Sequence, residues 1–321
     1  MPTSSMQLSR FGEFELIRRI SRLCPSSPRV VLGIGDDTAA VLPGRKDHLL
    51  LLTCDSVTEK IHFDSSATPY QIGWKAMARN LSDIAAMGGR PLYSLVAACF
   101  PRHTPLSKAL GIQRGLAAAA RCFGVVMVGG DTSRSSHDIH LTVCLIGEVR
   151  RSEMIRRSGA RPGDILCVTG TLGASLFGKH LRFQPRLWEA QFLARQFRPS
   201  AMMDLSDGLA SDLHRMIGQS RVGFEIWAEA LPISRALRSQ RFSRNREIHH
   251  ALCDGEDYEL LFTLSPKRFR LLQAAWAEKF RLKLTQIGIV RPRSFGIKMF
   301  ENSKGQTIRP FPAPANDHLR T

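Results

Sequence analysis

Apolar positions along the chain follow two periods. Strand-length runs rich in Val, Ile and Leu fall at residues 30–32, 48–53, 92–100, 125–128 and 139–147, and helical spacing occupies the stretches between them. Residues 70–87 read as a helix, with Ile72, Ala76, Leu81 and Ile84 near a helical repeat and Gly88-Gly89 as its stop. An Ala-rich helix is predicted at 107–122. Asp83 falls in the last turn of the first helix, where a carboxylate opposes the helix dipole, so its presence calls for a role beyond helix stability. The basic, polar stretch 148–163 reads as a connection. A second unit begins with a strand at 164–169, followed by the small-residue turn Thr169-Gly170-Thr171-Leu172-Gly173. Helical segments follow, interrupted by Met202-Met203-Asp204-Leu205-Ser206-Asp207-Gly208; then come a strand at 258–263, a helix at 266–280 and strands at 285–290 and 297–300. The tail, 302–321, is Pro-containing and aperiodic. The pattern predicts two α/β units, residues 1–149 and 150–321.

Composition narrows the class. Of 321 residues, 43% are apolar and 23% charged, the mix of a folded globular chain. No apolar run approaches the roughly 18 residues of a membrane span, and residues 1–10 lack a signal-peptide core. The seven Cys are odd in number and form no C-x-x-C, which fits reduced thiols in a cytoplasmic protein. The net charge of +17 raises the question of nucleic acid. However, Arg150, Arg151, Arg156 and Arg157, and then Arg235, Arg238, Arg241, Arg244 and Arg246, lack the repeated aromatic residues of an RNA-stacking surface. Neither nucleic acid nor membrane is expected as a partner.

The acids carry the chemistry. Four clusters share a layout in which a short apolar run gives way to small residues and Asp: Gly35-Asp36-Asp37, Thr53-Cys54-Asp55, Gly129-Gly130-Asp131-Thr132 and Asp204-Leu205-Ser206-Asp207-Gly208. Asp83 supplies a further acid. Any one cluster is ordinary turn chemistry, but four with one pattern suggest convergence at strand ends, where α/β folds bind ligands. Converging carboxylates need cations or protons, and hard oxygen donors without His or Cys suit Mg²⁺, which bridges carboxylates to substrate phosphates. There is no P-loop and no protein-kinase motif set, and Gly33-x-Gly35 leads into acids rather than a dinucleotide fingerprint. Backbone N–H groups of 169–173 are a further candidate phosphate cradle.

These residues resemble, in order and over nearly the whole chain, the thiamine-monophosphate kinase family. The likeness runs through Gly12-Glu13-Phe14, Gly33-Ile34-Gly35-Asp36-Asp37, His62-Phe63, Asn80-Leu81-Ser82-Asp83-Ile84-Ala85-Ala86-Met87-Gly88 and Gly129-Gly130-Asp131-Thr132. It continues in Arg157-Ser158-Gly159-Ala160-Arg161-Pro162-Gly163-Asp164, Asp204-Leu205-Ser206-Asp207-Gly208-Leu209 and Gly255-Glu256-Asp257-Tyr258-Glu259-Leu260. The resemblance implies the two-domain PurM-like fold of the aminoimidazole-ribonucleotide synthetase-like proteins. In that fold, the resemblance implies, an N-terminal α/β domain pairs its sheet with a mate in a homodimer and an α+β domain follows. It implies ATP-dependent phosphorylation of thiamine monophosphate to the diphosphate by direct transfer. By motif, Asp37, Asp55, Asp83, Asp131 and Asp204 are expected to hold several Mg²⁺ ions, with Thr53, Cys54 and Asp207 as additional ligands. Gly130, Asp131, Arg157 and Ser206 are expected at ATP, His62 and Glu256 at the substrate, and Asp55, Asp131 and Arg157 in catalysis. The alternative is a related ATP-dependent synthetase or maturation enzyme.

Two positions depart from the family pattern. Cys54 stands where a hydroxyl residue is usual, and a neutral thiol is a poor Mg²⁺ ligand, so its backbone carbonyl is the expected donor. Asn316 stands where the family tends to carry an aromatic that stacks on the substrate, with Phe311 a possible substitute. Asp254 replaces a usual Gly.

Overall fold

The computed structural model describes residues 27–33, 36–43, 47–305 and 308–313. The motif residues Gly12-Glu13-Phe14, Ile34-Gly35 and Asn316 lie outside them.

Six strands form the first sheet: β1 (Val30–Leu32), β2 (Ala39–Val41), β3 (His48–Thr58), β4 (Arg90–Pro101), β5 (Val126–Ser135) and β6 (His140–Arg150), in the order β1-β2-β3-β6-β4-β5. Neighbours are antiparallel except β4 and β5, which run parallel. The parallel pair is joined through helix α2 (Leu106–Cys122), which packs against α1 (Pro69–Ala86). Alternation along β3 and β6 sends Leu49, Leu51, Val57, Leu141, Val143 and Leu145 into the core beneath α1.

β3 does not stop at residue 53, and β5 does not end before its glycines; both run on through their Asp. The turn expected at Thr53-Cys54-Asp55 and at Gly129-Gly130-Asp131-Thr132 is therefore a strand interior. The physical reason is the ladder: Asp55 is paired with Val143 of β6 and Asp131 with Ala97 of β4, so each strand runs on beside its neighbour. Asp131 is accepted on the uncovered outer face, whereas Asp55 points inward and lines a cleft, so polarity does not mark the strand's end.

The second sheet holds β7 (Ile165–Thr169), β8 (Ala201–Asp204), β9 (Gly223–Trp227), β10 (Leu260–Leu264), β11 (Leu284–Arg291), β12 (Ile297–Phe300) and β13 (Ile308–Arg309), in the order β13-β12-β9-β11-β7-β10-β8. It is antiparallel apart from the β9–β12 pair. Helices α3 (Leu187–Phe192), α4 (Leu209–Ser220), α5 (Arg235–Ser239), α6 (Arg244–Cys253) and α7 (Pro266–Lys279) surround it. The segment expected to interrupt helices at 202–208 begins instead as the last residues of buried strand β8. One apolar core joins the halves: Ile155, Leu187, Phe262 and Trp276 cluster with Leu49, Ile84 and Leu145. A second core fills the C-terminal half between its sheet and helices such as α4 and α6.

Candidate active site

Helix α1 is the ruler of the site. Thr68 caps it: its Oγ1 accepts from Gln71 N at 3.3 Å while Gln71 Oε1 accepts from Thr68 N at 2.9 Å, and Pro69 opens the first turn. Its back packs against α2 at backbone distance, because a Cβ on Gly73 would fall 1.9 Å from Ile112 O. Its front carries Lys75, Arg79 and Asp83 at successive i, i+4 positions, each about 6 Å further along one face.

At the C-terminal end of that stripe, Asp83 meets Asp37 and Asp204, one oxygen of each lying within 4.8 Å of the others. The three carboxylates come from the β1–β2 connection, α1 and the end of β8. Thr53 Oγ1 donates to Asp83 Oδ2 at 2.5 Å and Ser82 Oγ donates to Asp204 Oδ2 at 2.6 Å. Arg157 closes on Asp37 with both prongs, Nε at 2.9 Å and Nη2 at 2.6 Å. Asp55 projects from the inner face of β3, its backbone N–H held by Asn80 Oδ1 at 3.0 Å. Burial, then the charges of Asp55 and Asp204, raise Asp83 well above the usual carboxylate range. Burial, then Asp37, raise Asp204 to about 7, and burial, then Asp37, raise Asp36 to about 7. Burial alone would lower the Arg157 pKa, but the adjacent Asp37 carboxylate raises it above its ordinary value. An all-oxygen donor set in which burial and neighbouring acids raise the pKa of Asp83 and Asp204 fits Mg²⁺.

At the other end of the stripe, Lys75 is fully buried and ion-paired with Glu256; it also donates to His62 O at 2.6 Å and lies 3.1 Å from His180 Nδ1. His180 Nδ1 lies 3.0 Å from Glu256 Oε2. Burial would raise Glu256, but the His180 hydrogen bond and the Lys75 charge hold it down at about 2, so it is a fixed anion. Glu256 and Tyr258 both adopt positive φ, 54° and 49°, strain of the kind that collects at ligand sites.

Two clefts meet here. One of about 780 Å³ contains Asp37, Thr53, Asp55, Asp83, Arg157 and Asp204. The other, of about 400 Å³, contains Phe63, Leu176, His180 and Glu256. His62, Arg79, Ser206, Asp207 and Tyr258 line both.

The structure thus brings together Asp37, Thr53, Asp55, Asp83, Arg157, Asp204 and Ser206, with His62 and Glu256 in the adjoining cleft. Cys54 points the other way: its Sγ lies 3.2 Å from Cys144 Sγ on the outer sheet face, so only its backbone belongs to the cleft. Asp207 is ion-paired with Arg215. Gly130 and Asp131 are exposed on the edge strand and line neither cleft. Asp131 is aligned with Ala97, Thr142 and Ser56 on the outer face. The phosphate cradle expected at 169–173 is not available: Gly173 N–H is bound to Asp257 at 3.1 Å, Gly170 N–H to Lys283 O and Leu172 N–H to Pro232 O.

Sequence reading missed Lys75, Arg79, His180 and Tyr258. For the first two a signal existed, the four-residue spacing back from Asp83 along the helix. His180 lies in a run of short helical turns with no periodicity to mark it.

The sequence matches two families, AIR synthase related protein, N-terminal domain, over residues 35–149 and AIR synthase related protein, C-terminal domain, over residues 168–298. It is 36% identical to a thiamine-monophosphate kinase of Rhodopirellula baltica, over 88% of this chain and 90% of that one. It is 33% identical to one of Bacillus subtilis, over 88% and 92%. A solved structure described as AaThiL complexed with AMPPCP and TMP superposes with a TM-score of 0.80 at 33% identity, covering 95% of this chain and 97% of that one. The E. coli hydrogenase maturation protein HypE shares the fold, with a TM-score of 0.67 at 19% identity over 94% and 98%.

Proposed function

Because the chain belongs to the thiamine-monophosphate kinase family, we propose that it transfers the γ-phosphoryl group of ATP to thiamine monophosphate, giving thiamine diphosphate and ADP. The observation that carries this reading is the Asp37–Asp83–Asp204 cluster, set in one of two clefts that share a wall. Two anionic substrates need such a place, where negative charge is gathered for cations rather than for phosphate directly.

In this reading Asp37, Thr53, Asp55, Asp83 and Asp204 hold Mg²⁺, Cys54 offers its backbone carbonyl, and Asp207, tied to Arg215, is a peripheral ligand. Bound magnesium neutralises the phosphates and polarises the transferring group. Arg157, leaving Asp37 to bound cations, and Ser206 face ATP. His62 and Glu256 face thiamine monophosphate. The acceptor phosphate is mostly ionised at neutral pH, so no strong general base is required. Transfer is direct and in line, without a phosphoenzyme. Residues 1–149 form the ATP- and Mg²⁺-binding, dimer-forming domain and 150–321 the α+β domain.

A homodimer completes the assignment. The outer face of the first sheet exposes Tyr93, Leu95, Val126 and Val128 at 44–57% and is covered by no described element. A second copy packed there would shield this face and bring Gly130 and Asp131 to the nucleotide of its neighbour. No helix among the described residues is long and apolar enough to cross a membrane, and the enzyme acts in the cytoplasm.

The test is chromatographic detection of thiamine diphosphate after incubation with ATP, Mg²⁺ and thiamine monophosphate. One product per ADP is expected; ADP release without thiamine diphosphate would overturn the assignment.

A further inference from the structure

The wall between the two clefts carries a guanidinium that is paired with a carboxylate by charge alone, without a hydrogen bond to it. Among the described residues three arginines line these clefts. Arg157 is committed to Asp37 through both prongs, and Arg215 is ion-paired with Asp207 and Asp212. Arg79 differs. Its Nη1 donates to Ser56 O at 3.1 Å, and its Nε stands 3.4 Å from Asp55 Oδ2 without forming a hydrogen bond. Nε is therefore a buried nitrogen without a hydrogen-bond partner among the described residues. Tyr258, on the same shared wall, is 2% exposed, and its hydroxyl also makes no hydrogen bond. Buried polar groups are rarely left this way without a ligand to meet them.

The position of Arg79 along α1 gives that ligand its identity. Asp83, about 6 Å further along the same helix face, belongs to the acid cluster, and Lys75, about 6 Å back, is ion-paired with Glu256 in the smaller cleft. Arg79 therefore stands between the metal end and the organic end of the site. Resting on the kinase reading above, we propose that Arg79, with Tyr258 beside it, is the subsite for the phosphate of the acceptor, a phosphate monoester. A guanidinium fork matches phosphate geometry, and here it meets the acceptor phosphate on the side away from Asp83. It thereby distinguishes a phosphorylated acceptor from the corresponding alcohol. The seat of Lys75 in the helix interior and its ion pair with Glu256 exclude it from this task, and Lys60 is exposed and ion-paired with Asp138 at 2.6 Å.

A purely structural role for Arg79, as a counter-ion for Asp55, predicts something different. It would affect folding or metal binding but not the choice between phosphorylated and unphosphorylated ligand. The experiment is calorimetric titration of the full-length protein in Mg²⁺ with thiamine monophosphate and, separately, with thiamine. It compares wild type, Arg79→Met and Arg79→Lys, with product formation and KM for ATP measured alongside. The expected result is a preference for thiamine monophosphate over thiamine that falls about 10- to 100-fold in Arg79→Met, the range of a charge-assisted hydrogen bond. Thiamine affinity and KM for ATP should stay within about twofold, and Arg79→Lys should recover part of the preference. An unchanged preference in Arg79→Met overturns the subsite while leaving the kinase assignment standing. If Arg79→Met loses both ligands through misfolding, Arg79→Lys decides: a lowered preference with thiamine binding retained supports the subsite, and a wild-type preference overturns it. Wild-type protein that makes no thiamine diphosphate and binds both ligands alike overturns the kinase assignment and the subsite together.

Discussion

Arg157 reaches from the segment between the two sheets to clasp Asp37 with both arms of its guanidinium, at 2.6 and 2.9 Å, and Asp37 is buried at that contact. The pair ties the C-terminal half to the acid cluster and supplies a fixed positive charge there. Its loss leaves a buried carboxylate uncompensated, which costs about 3 kcal/mol. Arg157→Met is therefore expected to lower stability by about that amount in urea unfolding without metal, and by much less in saturating Mg²⁺. An equal loss in both conditions would count against metal binding beside Asp37.

Protonation and metal binding compete at the cluster. An unfolded Asp titrates near 3.8 and folded Asp204 near 7, with burial and then Asp37 raising it. A raised carboxylate pKa means that the folded state binds the extra proton, so this stabilisation is full at low pH and is lost as pH rises from about 4 through 7. Without Mg²⁺, this contribution predicts a thermal midpoint that falls between pH 5 and pH 8. Saturating Mg²⁺ should raise the midpoint more at pH 8 than at pH 6, because the metal must displace protons at the lower pH. Differential scanning calorimetry at the two pH values, with and without metal, reads both.

Cys54 is predicted to be dispensable as a side chain. Its thiol faces Cys144 on the outer sheet face rather than the cleft. Cys54→Ser should leave the Mg²⁺ concentration for half-maximal activity within about twofold of wild type, since a neutral thiol is in any case a poor ligand for this ion. A Mg²⁺ titration of the rate checks this, and a shift of tenfold or more would assign the side chain to the metal.

The outer face offers a separate test. Val128→Asp places a charge on an exposed apolar surface, Val128 itself being 57% exposed. The substitution should leave the fold of the single chain intact, convert a dimer to a monomer in sedimentation velocity, and remove most of the activity by withdrawing the neighbour's Asp131. A fully active monomer would remove Asp131 from the site.

What was legible in the sequence followed from periodicity and clustering. The helix carrying Asp83 was marked by its apolar repeat and the Gly88-Gly89 stop, and the convergence of Asp37, Asp83 and Asp204 followed from shared charge. The Asp-bearing turns expected at residues 55 and 131 are strand interiors for two reasons: Asp131 sits on the open face, which carries polar residues without ending the strand, and Asp55 points inward into a cleft that local pattern does not reveal. Lys75 reads as solvent-facing on any helical wheel. Its burial is made possible by Glu256, 181 residues away, a pairing that local pattern cannot reveal. Asp131 illustrates another limit. Its motif marks it for the nucleotide, yet within one chain it lies on the outer sheet face and lines neither cleft.

The most direct test of a cation site built by these carboxylates is the rate of thiamine diphosphate formation against Mg²⁺ concentration for wild type and Asp83→Asn. Replacing a carboxylate that is buried among like charges should leave the metal-free protein as stable as wild type, or more so. The same change should cut the maximal rate by about 10²- to 10³-fold and move half-saturation to higher Mg²⁺. Superimposable Mg²⁺ curves from the two folded proteins would contradict the account.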